Sequence, residues 1–250
     1  MRLIHLLKAM GVVLNTLLFV PLVVLASLFD RDAKLGYRLA LMWVRVNLWV
    51  SGVRVVVSGR ENVDSSRQYV FMSNHRSNAD IVAIAWALSD FQLRWVAKKE
   101  LLRVPVFGWG LRALKTVIID RSNREEAIRS YALAQERIRR GISVMMFPEG
   151  TRGAGTELLP FKKGGFVLAI ETGTPIVPIA VHGTTAVLSR RGWKIETGEI
   201  RVLIGRPIET AGFALSDKGR IIQQVRSSIG GMLRPLEVPA AAAPYVAGQA

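Results

Sequence analysis

Cysteine is absent from this 250-residue chain, and histidine occurs only three times. The first absence excludes disulfides, thiolate zinc sites and any cysteine-borne covalent intermediate, and leaves the redox compartment open. The second makes a metal centre a poor reading: His5 lies in an apolar N-terminus, His182 stands far along the chain from His75, and no His-Glu-x-x-His pattern occurs. Acidic residues are scarce too. Nineteen Asp and Glu face 34 Lys and Arg, a formal charge of +15 that draws polyanions in general, whether nucleic acid, anionic lipid headgroups or phosphorylated cofactors. There is no Gly-Lys-Ser/Thr P-loop and no nucleophile-elbow serine, so phosphate binding and acyl chemistry, if present, are built another way.

Charge is also missing from residues 9–29, between Lys8 and Asp30. As a helix this run reaches about 31 Å, roughly one hydrocarbon core. A cleaved signal is opposed by its length and by the lack of a small-x-small site before Asp30. A single span is weakened by Gly11, Asn15, Thr16 and Pro21. The third reading joins the run to residues 35–50, where Arg38 and Arg45 are one heptad apart and share a helix face, with Leu39, Met42, Trp43 and Val46 covering much of the rest. Arginine can snorkel to phosphates while tryptophan sits at the interface. A two-helix hairpin in or on one leaflet fits as well as a span does. Membrane association is favoured over a pair of buried core helices, with its depth left open.

Beyond residue 51 the chain alternates. Residues 53–57, 69–73, 93–97, 116–119, 142–147, 176–181 and 200–204 read as strands. Helical patterns lie at 80–88, 125–140 and about 217–233, and residues 105–109 read as an exposed apolar turn. The helix at 125–140 opens on Glu125 and Glu126, closes on Arg139 and Arg140 before Gly141, and carries an apolar stripe of Ile128, Tyr131, Ala132 and Ile138. Residues 236–250 lack a core-forming pattern and read as a disordered tail. The expected fold is α/β: a mixed, mostly parallel sheet flanked by helices, preceded by an N-terminal two-helix membrane-associating motif.

Polar clusters fall where strands end: Asn74-His75, Lys98-Lys99-Glu100, Asp120-Arg121, and Pro148-Glu149-Gly150-Thr151-Arg152. In α/β sheets, ligands bind where loops leave the carboxyl ends of strands, so these four loops are expected to converge. His75 and Asp80 would stand about 140° apart along a continuous helix. Across a strand-to-helix turn they can meet, the carboxylate fixing the tautomer and leaving Nε2 as a general base. A capping histidine and an N-cap aspartate are the bland alternative. Glycine for close approach, the Arg152 fork, and Lys162 and Lys163 make the last cluster a candidate phosphate cradle. A helix starting at Gly164 would add its N-terminus. An ordinary glycine-rich turn on a basic protein is the alternative there.

Four blocks in order now carry a family pattern: Asn74-His75-x4-Asp80; Val117-Ile118-Ile119-Asp120-Arg121; Phe147-Pro148-Glu149-Gly150-Thr151-Arg152; and Thr174-Pro175-Ile176-Val177-Pro178. On these the chain resembles the glycerophospholipid acyltransferase family, most closely the bacterial 1-acylglycerol-3-phosphate (lysophosphatidate) acyltransferases. The likeness runs over about residues 70–181. Two departures stand out: residues 115–118 replace the usual opening of the second block, and Gly153 stands where serine is usual.

The resemblance implies a division into an N-terminal hydrophobic helical membrane motif (1–50), an α/β acyltransferase domain (51–235) and the tail (236–250). It implies that His75 deprotonates the acceptor hydroxyl and Asp80 orients it. Arg121, Glu149, Gly150 and Arg152 match positions linked to the glycerol phosphate acceptor, with Thr151 and Lys162 beside them. The fourth block is tied to the acyl donor or to structural support. The implied reaction moves an acyl group from acyl-CoA or acyl carrier protein to lysophosphatidate, with no metal and no bound cofactor. Its implied setting is the cytoplasmic side of the inner membrane, on an anionic surface, with no nucleic acid. Glycerol 3-phosphate or another lysolipid, such as a lyso-ornithine lipid, are alternative acceptors. A non-catalytic membrane module that binds polyanions is the rival class.

Overall fold

The computed structural model describes residues 2–30, 32–119, 124–189 and 192–237. The chain opens with a helical hairpin, α1 (Arg2–Leu28) and α2 (Lys34–Ser51). α1 starts earlier than the uncharged run alone indicates, because the helix takes in His5 and Lys8 and buries both. Both reach the Ile195 carbonyl, His5 through Nδ1 at 3.0 Å and Lys8 through Nζ at 3.4 Å. Inside, the hairpin is polar. Asn15 Nδ2 donates to the Trp43 carbonyl at 3.0 Å and to Asn47 Oδ1 at 2.9 Å, and Trp43 Nε1 donates to Thr16 Oγ1 at 3.0 Å. Asn15 and Thr16, which count against a lone span, are thus spent on helix pairing. Outside, Leu7, Leu14, Leu18 and Leu25 of α1 and Met42 and Trp49 of α2 are exposed. This polarity is the reverse of a water-facing helix pair. α1 is about 40 Å long by its rise per residue, and Leu3–Leu28 is long and apolar enough to cross a bilayer.

Seven strands follow: β1 (Val53–Ser58), β2 (Val70–Ser73), β3 (Leu93–Lys98), β4 (Val117–Ile119), β5 (Ser143–Met146), β6 (Ile176–His182) and β7 (Gly198–Ile204). They form one sheet in the order β1-β7-β6-β2-β5-β3-β4. Every pairing is parallel except β6 with β7, which makes the sheet mixed and mostly parallel. Strand pleat sorts the side chains onto two faces. Phe71, Met145 and Val177 stand in register on one face, under α2 and α3 (Ala79–Ala87). Val70, Val144 and Ile176 stand in register on the other. There α5 (Arg124–Arg139), α6 (Gly164–Thr172) and α8 (Lys218–Glu237) cover them; the short helices α4 (Phe107–Ala113) and α7 (Thr184–Val187) complete the set. Phe71 and Phe166 are wholly buried on opposite faces, each worth about 1.5–3 kcal/mol of burial, so the central strands are clamped from both sides.

Two local expectations change. On α5, Ala134 and Ile138 are buried and Ala132 faces solvent; the helix is rolled so that Ala134 meets the sheet. Residues 105–109 are not a turn alone. A tight turn at Pro105 and Val106, closed by Phe107 N to Pro105 O at 2.6 Å, leads straight into α4. Gly108 permits this, since a Cβ there would lie 2.4 Å from the Leu102 carbonyl oxygen. Residues 238–250, expected to be disordered, lie outside the described residues.

The turn between α1 and α2 is pinned to the sheet. Arg94, buried on β3, donates to the Asp32 carbonyl and sits 5.7 Å from the Tyr37 ring centre, and Arg140 pairs with Asp32 at 2.5 Å. The carboxyl ends of β2, β3, β5 and β6 share one sheet edge, and β1 and β7 begin there. The hairpin therefore reaches from the opposite edge, at Asp32, back to the edge where the polar loops gather.

Removing the seam should be measurable. Asn15→Ala leaves Asn47 Oδ1 without its donor, a loss of about 1–2 kcal/mol. The thermal midpoint of the detergent-solubilised protein is expected to fall by about 2–4 °C for each kcal/mol lost; an unchanged midpoint would mean that the pairing does not contribute to stability.

Candidate active site

His75 stands just beyond β2, and Asp80 lies in the first turn of α3. Between them the chain folds back, and the Asp80 carboxylate fills the bend. Its Oδ2 lies 2.7 Å from His75 Nδ1 and accepts the backbone N–H groups of Arg76 at 2.7 Å and Ser77 at 2.8 Å. An oxygen that accepts two amides at once accepts from the ring as well, so Nδ1 carries the hydrogen and Nε2 presents its lone pair. Asp80 is wholly buried, while His75 keeps 14% of its side-chain surface open. The two residues meet across a turn, as their spacing requires.

The imidazole is also held from its flat side. Phe147, at the end of β5, stacks on it at 3.8 Å between ring centres and 10° between planes. Next along, Glu149 is buried, and both its oxygens are taken by the backbone: Oε1 accepts the His75 N–H and Oε2 the Leu159 N–H, each at 2.9 Å. Burial pushes its carboxyl above the usual glutamate range, against the pull of those two amides. Gly153 N donates to the His75 carbonyl at 2.8 Å. A Cβ on Gly153 would make only ordinary contacts, the nearest with Glu149 Oε2 at 3.5 Å, so the glycine here is not required by space. Behind this loop Arg226 of α8 donates to the carbonyls of Leu158 and Leu159 at 2.5 and 2.6 Å.

The remaining sequence candidates spread around this centre. Gly150 adopts φ 69° and its N–H closes a turn onto the Phe147 carbonyl at 3.0 Å; its contribution is the shape of the loop. Arg152 is half-exposed and donates to Asn78 Oδ1 at 3.2 Å, which sets it on the rim of the His75 turn. Thr151 and Lys162 are exposed, Lys162 held by its N–H to the Pro148 carbonyl at 2.8 Å. Arg121 lies outside the described residues, although β4 ends just before it on the same edge. Val177 is wholly buried and Pro178 sits within β6, so the last three residues of the fourth block, Ile176 to Pro178, lie inside the sheet. Among the described residues, no three His, Asp or Glu side chains gather as a metal would require.

Three residues have roles that sequence reasoning did not assign. Asn74, wholly buried, uses its amide as a piece of strand: Oδ1 accepts the Val181 N–H at 2.8 Å and Nδ2 donates to the Val181 carbonyl at 2.9 Å. It extends the β2/β6 ladder one step and aims the next residue, His75. Ser77 Oγ donates to the Leu188 carbonyl at 2.6 Å, tying the bend to the segment that follows α7. Phe147 is the third. The usable signal was position alone: a polar amide or an aromatic at the last step of a buried strand.

Comparison with known proteins bears on the same stretch. A family model described as Acyltransferase matches residues 54–182, a span that takes in His75, Asp80, Phe147, Glu149, Leu158 and Leu159 and leaves out Leu188 and Arg226. A 1-acyl-sn-glycerol-3-phosphate acyltransferase of Pseudomonas aeruginosa is 37% identical over 68% of this chain and 66% of its own length. One from Saccharomyces cerevisiae is 31% identical over 85% of this chain and 71% of its own. The chain thus spans slightly less than two thirds of the Pseudomonas relative, and 53% of a chloroplastic one from Brassica napus. The crystal structure of a 1-acyl-sn-glycerophosphate acyltransferase from Thermotoga maritima superposes with a TM-score of 0.78 over 95% of this chain and 98% of that one, at 24% identity, and shares the fold. By the extent of the family match and the Saccharomyces alignment, the chain belongs to the Acyltransferase family.

Proposed function

We propose that this chain is a membrane-associated acyltransferase. It moves a fatty acyl group from an acyl thioester to the free sn-2 hydroxyl of 1-acylglycerol 3-phosphate, giving phosphatidic acid for phospholipid synthesis. The observation that carries this reading is the 2.7 Å contact between His75 Nδ1 and Asp80 Oδ2, which leaves Nε2 as a base at the sheet edge. The names borne by the Pseudomonas and Saccharomyces relatives support the acceptor. So does the charge of +15, which suits an anionic acceptor, donor and bilayer together.

The chemistry runs in one ternary complex. His75 Nε2 takes the proton of the acceptor hydroxyl as its oxygen attacks the thioester carbonyl. A tetrahedral intermediate forms; its collapse breaks the C–S bond, and the leaving thiolate takes the proton back from the imidazolium. Asp80 holds the tautomer and stabilises the imidazolium between these steps. The chain has no cysteine to carry the acyl group, and direct transfer needs none. Acyl-CoA or acyl carrier protein enters as co-substrate, and no metal or bound cofactor takes part. Arg152 and Lys162 form the cationic side of the acceptor site and bind its phosphate; Arg121 is assigned to the same task by the family pattern alone. The exposed apolar face of α1 and α2 lies in the bilayer, in the inner membrane with the catalytic edge on its cytoplasmic side, and brings the site to a substrate that is itself a lipid.

Glu149 takes a different part from the other block residues. With both oxygens on backbone N–H groups, it positions the His75 loop, and it does so without touching the acceptor.

The deciding assay reconstitutes the full chain in vesicles and offers lysophosphatidate, glycerol 3-phosphate and lyso-ornithine lipid against both thioester donors. Phosphatidic acid is the expected product, and transfer only to one of the other acceptors would replace the substrate named here. His75→Ala should lower kcat by about 10²–10⁴ with lipid binding intact; undiminished turnover would remove His75 as the base. Arg152→Ala should raise KM for a phosphorylated acceptor about tenfold or more, and an equal rise with an acceptor lacking phosphate would argue against phosphate binding.

Glu149→Gln turns one acceptor oxygen into a donor facing an N–H. Its kcat is expected to fall while KM for lysophosphatidate stays nearly constant; a KM-dominated defect would return Glu149 to acceptor binding. Stability adds a second reading. A carboxyl whose folded pKa is raised binds its proton more tightly folded than unfolded, so its contribution is greatest at low pH and declines as pH rises through the usual glutamate range toward the folded value. The gap in thermal midpoint between wild type and Glu149→Gln should therefore narrow as pH rises above the usual glutamate range of about 4.3; a widening gap would contradict the raised carboxyl.

A further inference from the structure

Between β3 and β4 the chain makes an excursion from the catalytic edge that the chemistry above does not use. It begins with a short 3-10 helix, Lys99–Arg103, turns at Pro105 and Val106, and continues as α4. Large apolar side chains on it face outward: Trp109 is 57% exposed and Val104 45%, with Leu101 and Pro105 exposed beside them. This outward display is built in by the backbone. Val106, a β-branched residue, is held at φ 63°, a conformation that side chains of its type rarely take and that persists only where the surroundings impose it. Gly108 lets α4 close onto the Leu102 carbonyl, and the buried Gly110 faces Val20 of α1. The small residues thus face the protein while Val104 and Trp109 form a ridge on its outside.

The ridge continues the exposed face of α1. Val24 and Leu28 of α1 and Trp109 line one open groove of about 280 Å³, with Arg112 and Lys115 also on its wall. Arg103, next to Val104, and Arg112, one helical turn on from Trp109, are exposed. Apolar side chains, an outward tryptophan and flanking arginines are the composition of a segment at a lipid–water boundary, and the cations match an anionic headgroup layer.

We propose that residues 101–112 form a second bilayer-contacting element, inserted beside α1 into an anionic leaflet. This rests on the reading that α1 lies in the bilayer. The α1–α2 hairpin holds the protein along one narrow strip, about which the sheet domain can still tilt and swing the His75 edge toward or away from the lipid. A second contact off that strip, on the loop that leaves the catalytic edge, stops the tilt and fixes which way the site faces.

The absence of cysteine makes the test direct. Single variants Val104→Cys, Trp109→Cys, Leu18→Cys on the outer face of α1, and Ala132→Cys on α5 each carry one spin label, in the full chain reconstituted in vesicles of phosphatidylethanolamine and phosphatidylglycerol. The ratio of collisions with oxygen to collisions with a water-soluble nickel complex reports depth. Labels at 104 and 109 are expected to match the label at 18 and to exceed the label at 132 several-fold. Labels at 104 and 109 as wet as 132, with 18 in lipid, would overturn this proposal and leave the α1 reading standing. A wet label at 18 would overturn both. Dipolar broadening from the labels at 104 and 109 would assign the ridge to a second copy of the chain and overturn it as well. As a functional arm, Val104→Asp with Trp109→Asp should lower transfer to lysophosphatidate in vesicles several-fold and leave transfer to a short-chain, water-soluble acceptor unchanged. An equal loss on both acceptors would count against a role in membrane orientation.

Discussion

One carboxylate oxygen organises the centre of this protein. Asp80 Oδ2 draws in the ring of His75 and the backbone N–H groups of Arg76 and Ser77, and in doing so bends the chain from β2 into α3. Three donors on one oxygen, at the N-terminal end of a helix whose dipole favours negative charge, offset the loss of water around a wholly buried acid. The offset is incomplete. Asp80 Oδ1 is buried with no hydrogen-bond partner among the described residues, a burden of about 1–3 kcal/mol that a purely structural bend could avoid with a shorter side chain. Around this oxygen the supports are layered: Phe147 under the ring, Glu149 on the loop, and Arg226 behind the loop. Each fixes a different degree of freedom of His75, so its orientation does not rest on Asp80 alone.

The same chain is built for two solvents. In the sheet domain, apolar residues face in and charge faces out. In the hairpin the order is reversed: Asn15, Thr16, Trp43 and Asn47 bond to one another inside while leucines face outward. The junction between the two regimes is managed by arginine. Arg94 and Arg140 converge on Asp32 at the hairpin turn, one guanidinium on its carbonyl and the other on its carboxylate, although Arg94 Nε stays buried without a hydrogen-bond partner among the described residues.

Sequence reading recovered what depends on short range. His75 and Asp80 are five residues apart, and their strand-to-helix setting was legible from pattern, as was the alternation that orders the sheet. Glu149 shows the limit. The family resemblance linked it to the acceptor, while its partners in the fold are the N–H of His75, 74 residues earlier, and of Leu159, ten later. No local pattern encodes which carboxylate will be consumed by backbone. The same holds for Asn74, whose partner Val181 is 107 residues away, and for the roll of α5, where Ala134 rather than Ala132 meets the sheet because the neighbouring strand decides it. The N-terminal run was legible as one helix of a two-helix motif, but the polar seam was not, since the seam exists only once both helices are aligned.

The tie between the start of α1 and Ile195 also sets a schedule. His5 and Ile195 are 190 residues apart, so at about 5–20 residues per second a ribosome needs roughly 10–40 s to make the second after the first. For that interval α1 is complete and strongly apolar, while His5 and Lys8 have no carbonyl to meet. An apolar helix is therefore complete before its own polar end can dock. The contact at Ile195 acts as a clasp, closed by a segment that emerges long after the helix it fastens.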